Sequence, residues 1–241
     1  LALASWPTFD ASTIIEKYAD LLATPNAPLF NRALMGAYAP GSAFKPCTAI
    51  AALSKGIINT EDKVKCEGVF TKYAAEGYAP QCWIWTAIEG ENLTHPEENV
   101  STALRDSCNY FFYTIGEQLG VDDLGEYAHA FGLGVNTGIE LVETTGNMSN
   151  QANHADYTGT VWRIGDTLQA AIGQSDSIFS PLQLAEYCAT VANGGYRHSA
   201  SILKAIRNYD YSEKRYEREP SILSIVQSPE YNWEAVHQGM Y

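Results

Sequence analysis

The 241-residue sequence predicts an α+β chain, mostly helices with a few short strands. Apolar residues recur at helical spacing behind Ser, Thr or Asp and before Gly, short strand-like runs such as residues 1–5 ("LALAS") interrupt them, and residues 57–98 show no periodicity of either kind. With 46% hydrophobic and 12% aromatic residues the chain has enough apolar material for one large or two small cores.

Taken in order, residues 1–5 read as a strand closed by Trp6-Pro7. Residues 12–22 carry Ile14, Ile15, Tyr18, Leu21 and Leu22 behind a Ser/Thr start, the pattern of an amphipathic helix. Three of the ten prolines fall between 24 and 41, which reads as extended loop. A buried helix follows from about Ala43 to Leu53 and stops at Gly56. Residues 57–98 are polar, aromatic and irregular, a surface lobe. Helix returns over 100–119 with a break at the Asp106 to Asn109 turn, then over "VDDLGEYAHAFGLG" with Asp122 near its start and Gly132 or Gly134 at its end. The segment "SPLQLAEYCATVANGG" has Pro181 in its first turn and a Gly-Gly stop.

Bulk properties exclude some functions. Against 28 acidic residues stand 15 basic ones, and the densest basic run, 213–219, is interleaved with Glu, so no nucleic-acid-binding stripe exists. No apolar stretch approaches the roughly 18 residues of a membrane-spanning helix. Five cysteines in a chain this long are too few for a disulfide-stapled scaffold.

The informative stretch is "AYAPGSAFKPCTAIAAL", residues 37–53. Ser42 and Lys45 are one helical turn apart and project from one face. Pro46 lacks an N–H and is tolerated only in a first turn, so the helix must open near Ser42. There the hydroxyl meets the positive end of the helix dipole, and the Ser42 N–H is free to serve as an oxyanion donor. A lysine desolvated beside Phe44 has its pKa driven down, which lets it take the serine proton.

"PGSAFKP" resembles the first motif of the penicillin-binding proteins and serine β-lactamases, and Ser107-Cys108-Asn109 resembles the second, S-x-N. "NRALMGAYAPGSAFK", "LGEYAHAFGLGVNTGIEL", "GDTLQAAIGQ" and "SPLQLAEYCATVANGG" are similar to the monofunctional, class B transpeptidases, in family order along the whole chain. The resemblance implies a penicillin-binding transpeptidase or serine β-lactamase-like fold, helices packed on an antiparallel sheet that is incomplete within this chain. It implies a peptidoglycan D,D-transpeptidase in which Ser42 attacks the D-Ala-D-Ala carbonyl, Lys45 is general base, Ser107 relays the proton to the leaving D-Ala, and Asn109 hydrogen-bonds the substrate amide and Lys45. Stem peptides and β-lactams are then the partners, with proteins of a wall-synthesis complex; the chemistry needs no cofactor. The setting would be the extracytoplasmic face of the bacterial membrane, reached through an N-terminal anchor outside residues 1–241. A β-lactam sensor or hydrolase, or an inactive scaffold, are the alternatives. The third family motif, Lys-Ser/Thr-Gly, occurs nowhere: the only lysines after Lys72 are Lys204 and Lys214. Residues 1–241 are therefore expected to be an incomplete transpeptidase domain of a protein longer at both ends.

The 57–98 lobe holds a second constellation, Cys66, Cys82 and His95, soft ligands of the kind zinc prefers. A structural zinc ion would replace the apolar core the lobe lacks; Cys108, Asp106 or water is the fourth ligand. A Cys66–Cys82 disulfide and free thiols are the competing readings. Trp83 and Trp85 alternate as on a strand, Cys47 and Cys188 fall on apolar helix faces as inert core, and His154 with Asp156 reads as a solvated turn.

Overall fold

The computed structural model describes residues 2–241. A 3₁₀ turn at Ala11–Thr13, started by Asp10 accepting the Ser12 N–H, leads into α1 (Ile14–Ala23), which buries none of its residues. Then come α2 (Arg32–Met35), a 3₁₀ turn over Gly41–Phe44 and α3 (Lys45–Ser54). The lobe contributes β1 (Val64–Lys65), 3₁₀ turns at Thr71–Glu76 and Trp83–Thr86, and β2 (Glu97–Glu98). Helices α4 (Val100–Arg105), α5 (Asn109–Ala130), α6 (His154–Thr158), α7 (Ile164–Ala170) and α8 (Pro181–Ala192) follow, then β3 (Tyr196–His198), β4 (Ala205–Arg207), β5 (Lys214–Glu217), β6 (Ile222–Ile225) and α9 (Glu230–Met240).

The strands form three separate antiparallel ribbons, β1–β2, β3–β6 and β4–β5, against a predominantly helical body. Residues 2–5 form no strand, which corrects the expectation for that segment. The reason lies in pairing: Ser5 makes single bonds to the Phe30 carbonyl and the Arg32 N–H, and no neighbouring strand offers the ladder that extended backbone needs. The Trp83–Thr86 stretch is likewise 3₁₀ helix rather than strand.

Helix α3 is the axle of the core. Every residue from Lys45 to Leu53 is buried, and α5 and α9 pack along it. Burying each Phe, Ile or Leu of this cluster contributes roughly 1.5–3 kcal/mol. Pro46 stands in the first turn, as its missing N–H requires, and the next N–H, of Cys47, is taken by the buried Tyr187 hydroxyl of α8 at 2.9 Å. The Thr48 hydroxyl donates to the Ala171 carbonyl just past α7 at 2.8 Å. On the other side of Ala171, α5 approaches so closely that a Cβ on Gly116 would lie 2.2 Å from the Ala171 Cβ. Helix α8 and the end of α7 are thus hydrogen-bonded to α3, and α5 packs closely on Ala171.

Helix α5 is two helical runs joined at Gly120, whose φ of +76° interrupts the helix. Its first turn and the opening of α3 face each other, and this junction carries the candidate site.

Candidate active site

Ser42 lies in the 3₁₀ turn that feeds α3 and is solvent-exposed, on the edge of an open cleft of about 310 Å³ bordered by Pro46, Arg105 and Met240. Lys45 opens α3 and is 1% exposed. The turn between α4 and α5 is set locally: Asn99 caps α4 in a reciprocal box with Thr102, the Cys108 N–H returns to the Ala103 carbonyl at 2.9 Å, and Ser107 takes the left-handed conformation at φ +51°. That reversal turns the Ser107 and Asn109 side chains toward α3.

The Lys45 amine donates to the Ser107 carbonyl at 2.8 Å, the Ser107 Oγ at 2.9 Å and the Asn109 Oδ1 at 2.6 Å. The Ser107 hydroxyl donates in turn to the Ser42 Oγ at 3.0 Å. Lys45 makes no hydrogen bond to Ser42, which corrects the expectation of direct contact: the hydroxyl of the second motif stands between the amine and the first. Burial drives the Lys45 pKa down to about 8, against the opposing pull of Cys82 and Cys108. Phe112 adds an aromatic face 5.4 Å from the amine.

The four residues expected from sequence therefore meet at one point. A neutral Lys45 has two N–H groups for the Ser107 carbonyl and Asn109 Oδ1, and its lone pair can accept the Ser107 hydroxyl proton once that hydroxyl turns away from Ser42, whose own hydroxyl then donates to Ser107. The arrangement is chemically able to draw a proton from Ser42 through Ser107.

The sequence matches the penicillin binding protein transpeptidase domain family over residues 1–241. The chain belongs to the penicillin-binding protein transpeptidase family. Among its relatives is the peptidoglycan D,D-transpeptidase MrdA of Escherichia coli (strain K12), 32% identical over 201 residues that cover 81% of this chain and 30% of that protein. The Haemophilus influenzae MrdA is 28% identical over 253 residues, covering 100% of this chain and 36% of its own length. The chain thus spans about a third of the curated relatives it matches. Crystalline Pseudomonas aeruginosa PBP2, solved in complex with WCK 5153, superposes with a TM-score of 0.83 at 27% identity, over 100% of this chain and 53% of that one. Penicillin-binding protein A of Mycobacterium tuberculosis, at 24% identity and a TM-score of 0.75, shares the fold. These matches place the chain with the class B penicillin-binding transpeptidases and carry the fold class expected from sequence.

Behind these four residues lies the second constellation. The ligand atoms of Cys66, Cys82, His95 and Cys108 all fall within 4.8 Å of one another, and all four residues are buried. Cys108 is thus the candidate that joins the three expected ligands, and all five cysteines of the chain are free, with no bridge between Cys66 and Cys82. Sulfurs bound at about 2.3 Å to one tetrahedral ion stand about 3.8 Å apart; those of Cys82 and Cys108 are 4.0 Å apart. The His95 Nδ1 is 3.5 Å from the Cys82 sulfur, and its Nε2 is buried without a partner. Hydrogen bonds from Cys108 and Cys66 pull the Cys82 thiol far below its ordinary range, so the pocket already favours a thiolate. Donation from Cys108 lowers Cys66, but Cys82 and burial outweigh it and leave Cys66 raised. This donor set fits zinc.

Two other expectations change. Cys188 is exposed and borders the cleft beside Ser42 rather than filling core. His154 is 2% exposed, not part of a solvated turn. Nothing in the spacing signalled its partner, Asp176, 22 residues away.

Proposed function

We propose that this chain is the serine-bearing part of a peptidoglycan D,D-transpeptidase that cross-links stem peptides through an acyl-enzyme on Ser42. The observation that carries the reading is the hydrogen-bonded series from Lys45 through Ser107 to Ser42, with Asn109 holding the amine.

In this mechanism Lys45 in its neutral form accepts the Ser107 proton as Ser107 accepts that of Ser42, and the Ser42 oxygen attacks the carbonyl carbon between the two D-Ala residues. The negative charge on the carbonyl oxygen falls at the opening of α3, where the Ser42 N–H and the helix dipole favour an anion. Collapse of the tetrahedral species breaks the C–N bond, and the proton on Lys45 returns through Ser107 to the departing D-Ala amine. The amine of an acceptor stem then attacks the ester, its proton travels the same route, and Ser42 leaves with its hydrogen restored. A β-lactam opens at the same carbonyl, but its leaving nitrogen remains tethered, so the ester persists.

Cys66, Cys82, His95 and Cys108 would hold a structural zinc ion. Its chemistry there would be to bind three thiolates and one imidazole, tying the 57–98 lobe to the residue between Ser107 and Asn109. The cationic clamp and second oxyanion donor of the third motif belong, in this reading, to parts of the protein outside residues 1–241, as does an N-terminal membrane anchor; no helix among the described residues is long and apolar enough to cross a membrane. Work outside the cytoplasmic membrane follows from the substrate. A partner in wall synthesis is supported by a structural neighbour at 30% identity, described in terms of a peptidoglycan synthase complex that coordinates polymerization and crosslinking.

The test is acylation of the full-length protein by a fluorescent penicillin. One adduct per chain, at the mass of intact penicillin and located by peptide mapping on Ser42, is expected, and Ser42→Ala abolishes it. Labelling that survives Ser42→Ala, or no labelling of the wild type, overturns the proposal.

A further inference from the structure

His154 begins α6 in a loop rich in Asn and Gly, yet its ring is buried and both nitrogens meet side chains of other segments. The Nδ1 is 3.2 Å from Asp176 Oδ1; the Nε2 is 3.2 Å from Thr160 Oγ1 and 3.7 Å from Asp166 Oδ2. Trp162 closes the pocket edge-on, with ring centroids 5.0 Å apart. Asp176 is itself buried; the Ser175 hydroxyl donates to its Oδ1 at 2.7 Å, and its Oδ2 has no partner. A buried carboxylate so poorly supplied with donors needs the imidazole beside it.

Gly173 ends the turn that follows α7, and Asp176 lies in the next turn, three residues on. The Gly173 carbonyl accepts the N–H of Gly41, the residue before Ser42, at 2.8 Å. Contact is close enough that a Cβ on Gly173 would lie 2.2 Å from the Gly41 oxygen and 2.6 Å from the Phe44 Cβ. Between Gly173 and Asp176 sits Ser175, a non-glycine residue at φ +63°, a conformation that persists only where its surroundings impose it. Beyond Asp176 the chain is locked: its carbonyl accepts from Asn147 Nδ2 at 2.8 Å, and Phe179 pairs with Tyr38.

We propose that His154 is a positioning residue for Ser42. Its Nδ1 holds the Asp176 carboxylate, the carboxylate holds Ser175 and with it the left-handed 173–175 backbone, and the Gly173 carbonyl of that segment sets the backbone from which Ser42 projects. His154 touches no reacting atom, so its loss slows attack without weakening the initial encounter. The inference rests on the acyl-transfer reading of Ser42 given above.

The test uses the full-length protein and separates the dissociation constant of the first, non-covalent penicillin complex from the rate constant of acylation. In His154→Asn the amide nitrogen takes roughly the place of Nδ1 and can still donate to Asp176; in His154→Gln it takes roughly the place of Nε2 and cannot. Acylation by His154→Gln is expected to be at least tenfold slower than wild type, with the dissociation constant within twofold, whereas His154→Asn recovers to within threefold. Asp176→Asn should match the Gln variant. Equal losses in the Asn and Gln variants would assign His154 to packing alone and overturn the proposal, as would a Gln variant acylating at the wild-type rate, or a loss confined to the dissociation constant. A wild type that takes no penicillin overturns both this inference and the reading beneath it; a wild type labelled on Ser42 whose variants are equally fast overturns this one only.

Discussion

The Ser107 hydroxyl lies 3.0 Å from the Ser42 Oγ, and it is Ser107, not Ser42, that the Lys45 amine reaches. The proposed base and the proposed nucleophile are linked through a third side chain, supplied by a turn 65 residues further on. In the proposed mechanism Ser107 therefore takes part in the first proton transfer as well as the second.

Ser107→Ala should therefore cost acylation itself. Removal of a positioned proton-transfer group lowers rates roughly 10²–10⁴-fold, and a loss in that range in the acylation rate constant is expected, with Ser42 still the only site labelled. A loss below tenfold would mean that Lys45 takes the Ser42 proton without help.

The amine must be neutral to accept a proton, and burial has brought its pKa down to about 8. The acylation rate constant should rise about tenfold per pH unit below that value and level off above it. Folding stability is linked to the same group. Between about 8 and the ordinary lysine value of 10.5 the unfolded chain holds a proton that the folded chain has lost, so this group makes stability rise with pH across that window. A pH–rate profile flat from pH 6 to 9 would contradict the assignment of Lys45 as base.

Purified, reduced protein should contain one zinc per chain. Cobalt exchanged into the site should give the intense near-ultraviolet thiolate-to-metal absorption of a three-sulfur site, and Cys82→Ser should weaken that band along with metal content. Removal of the ion by a chelator should lower the melting temperature, because the lobe has little apolar core of its own. Metal-free protein with unchanged melting behaviour would exclude the structural role.

Gly173→Ala should be severe for a residue that bears no functional group. Its φ is +73°, and the added methyl would press on the Gly41 carbonyl and the Phe44 Cβ. A destabilisation of about 2 kcal/mol or more, measured by denaturant unfolding, is expected. Acylation should fall further than stability explains, because the displaced backbone is that of the nucleophile.

The residues of the candidate site could be picked out in the sequence because each pair is locally spaced. Ser42 and Lys45 are bound to share a face by helical geometry, Pro46 fixes where that helix opens, and Ser107 and Asn109 stand at fixed spacing on a turn. The helices were legible for the same reason: their starts and stops, such as the Ser180 cap and Pro181, act within a few residues. The cysteines and His95 could be picked out by type. Cys108 was one of three candidates for a fourth ligand, and which of them stands beside the other three could not be read, since nothing in its neighbours says which way its side chain points.

Tertiary structure alone decided the rest. Strand pairing is a non-local property, so an alternating run such as residues 2–5 stays unpaired when no partner edge is brought to it, while the three ribbons join segments that carry no mark of each other. That Lys45 speaks to Ser42 through Ser107, and that a histidine in an Asn-rich loop is buried against Asp176, depend on how α3, α5 and the 173–179 segment pack together. Sequence determines which groups are available and how each is presented on its own turn of backbone. Distances of a few ångströms between groups more than twenty residues apart are set only when the core closes around them.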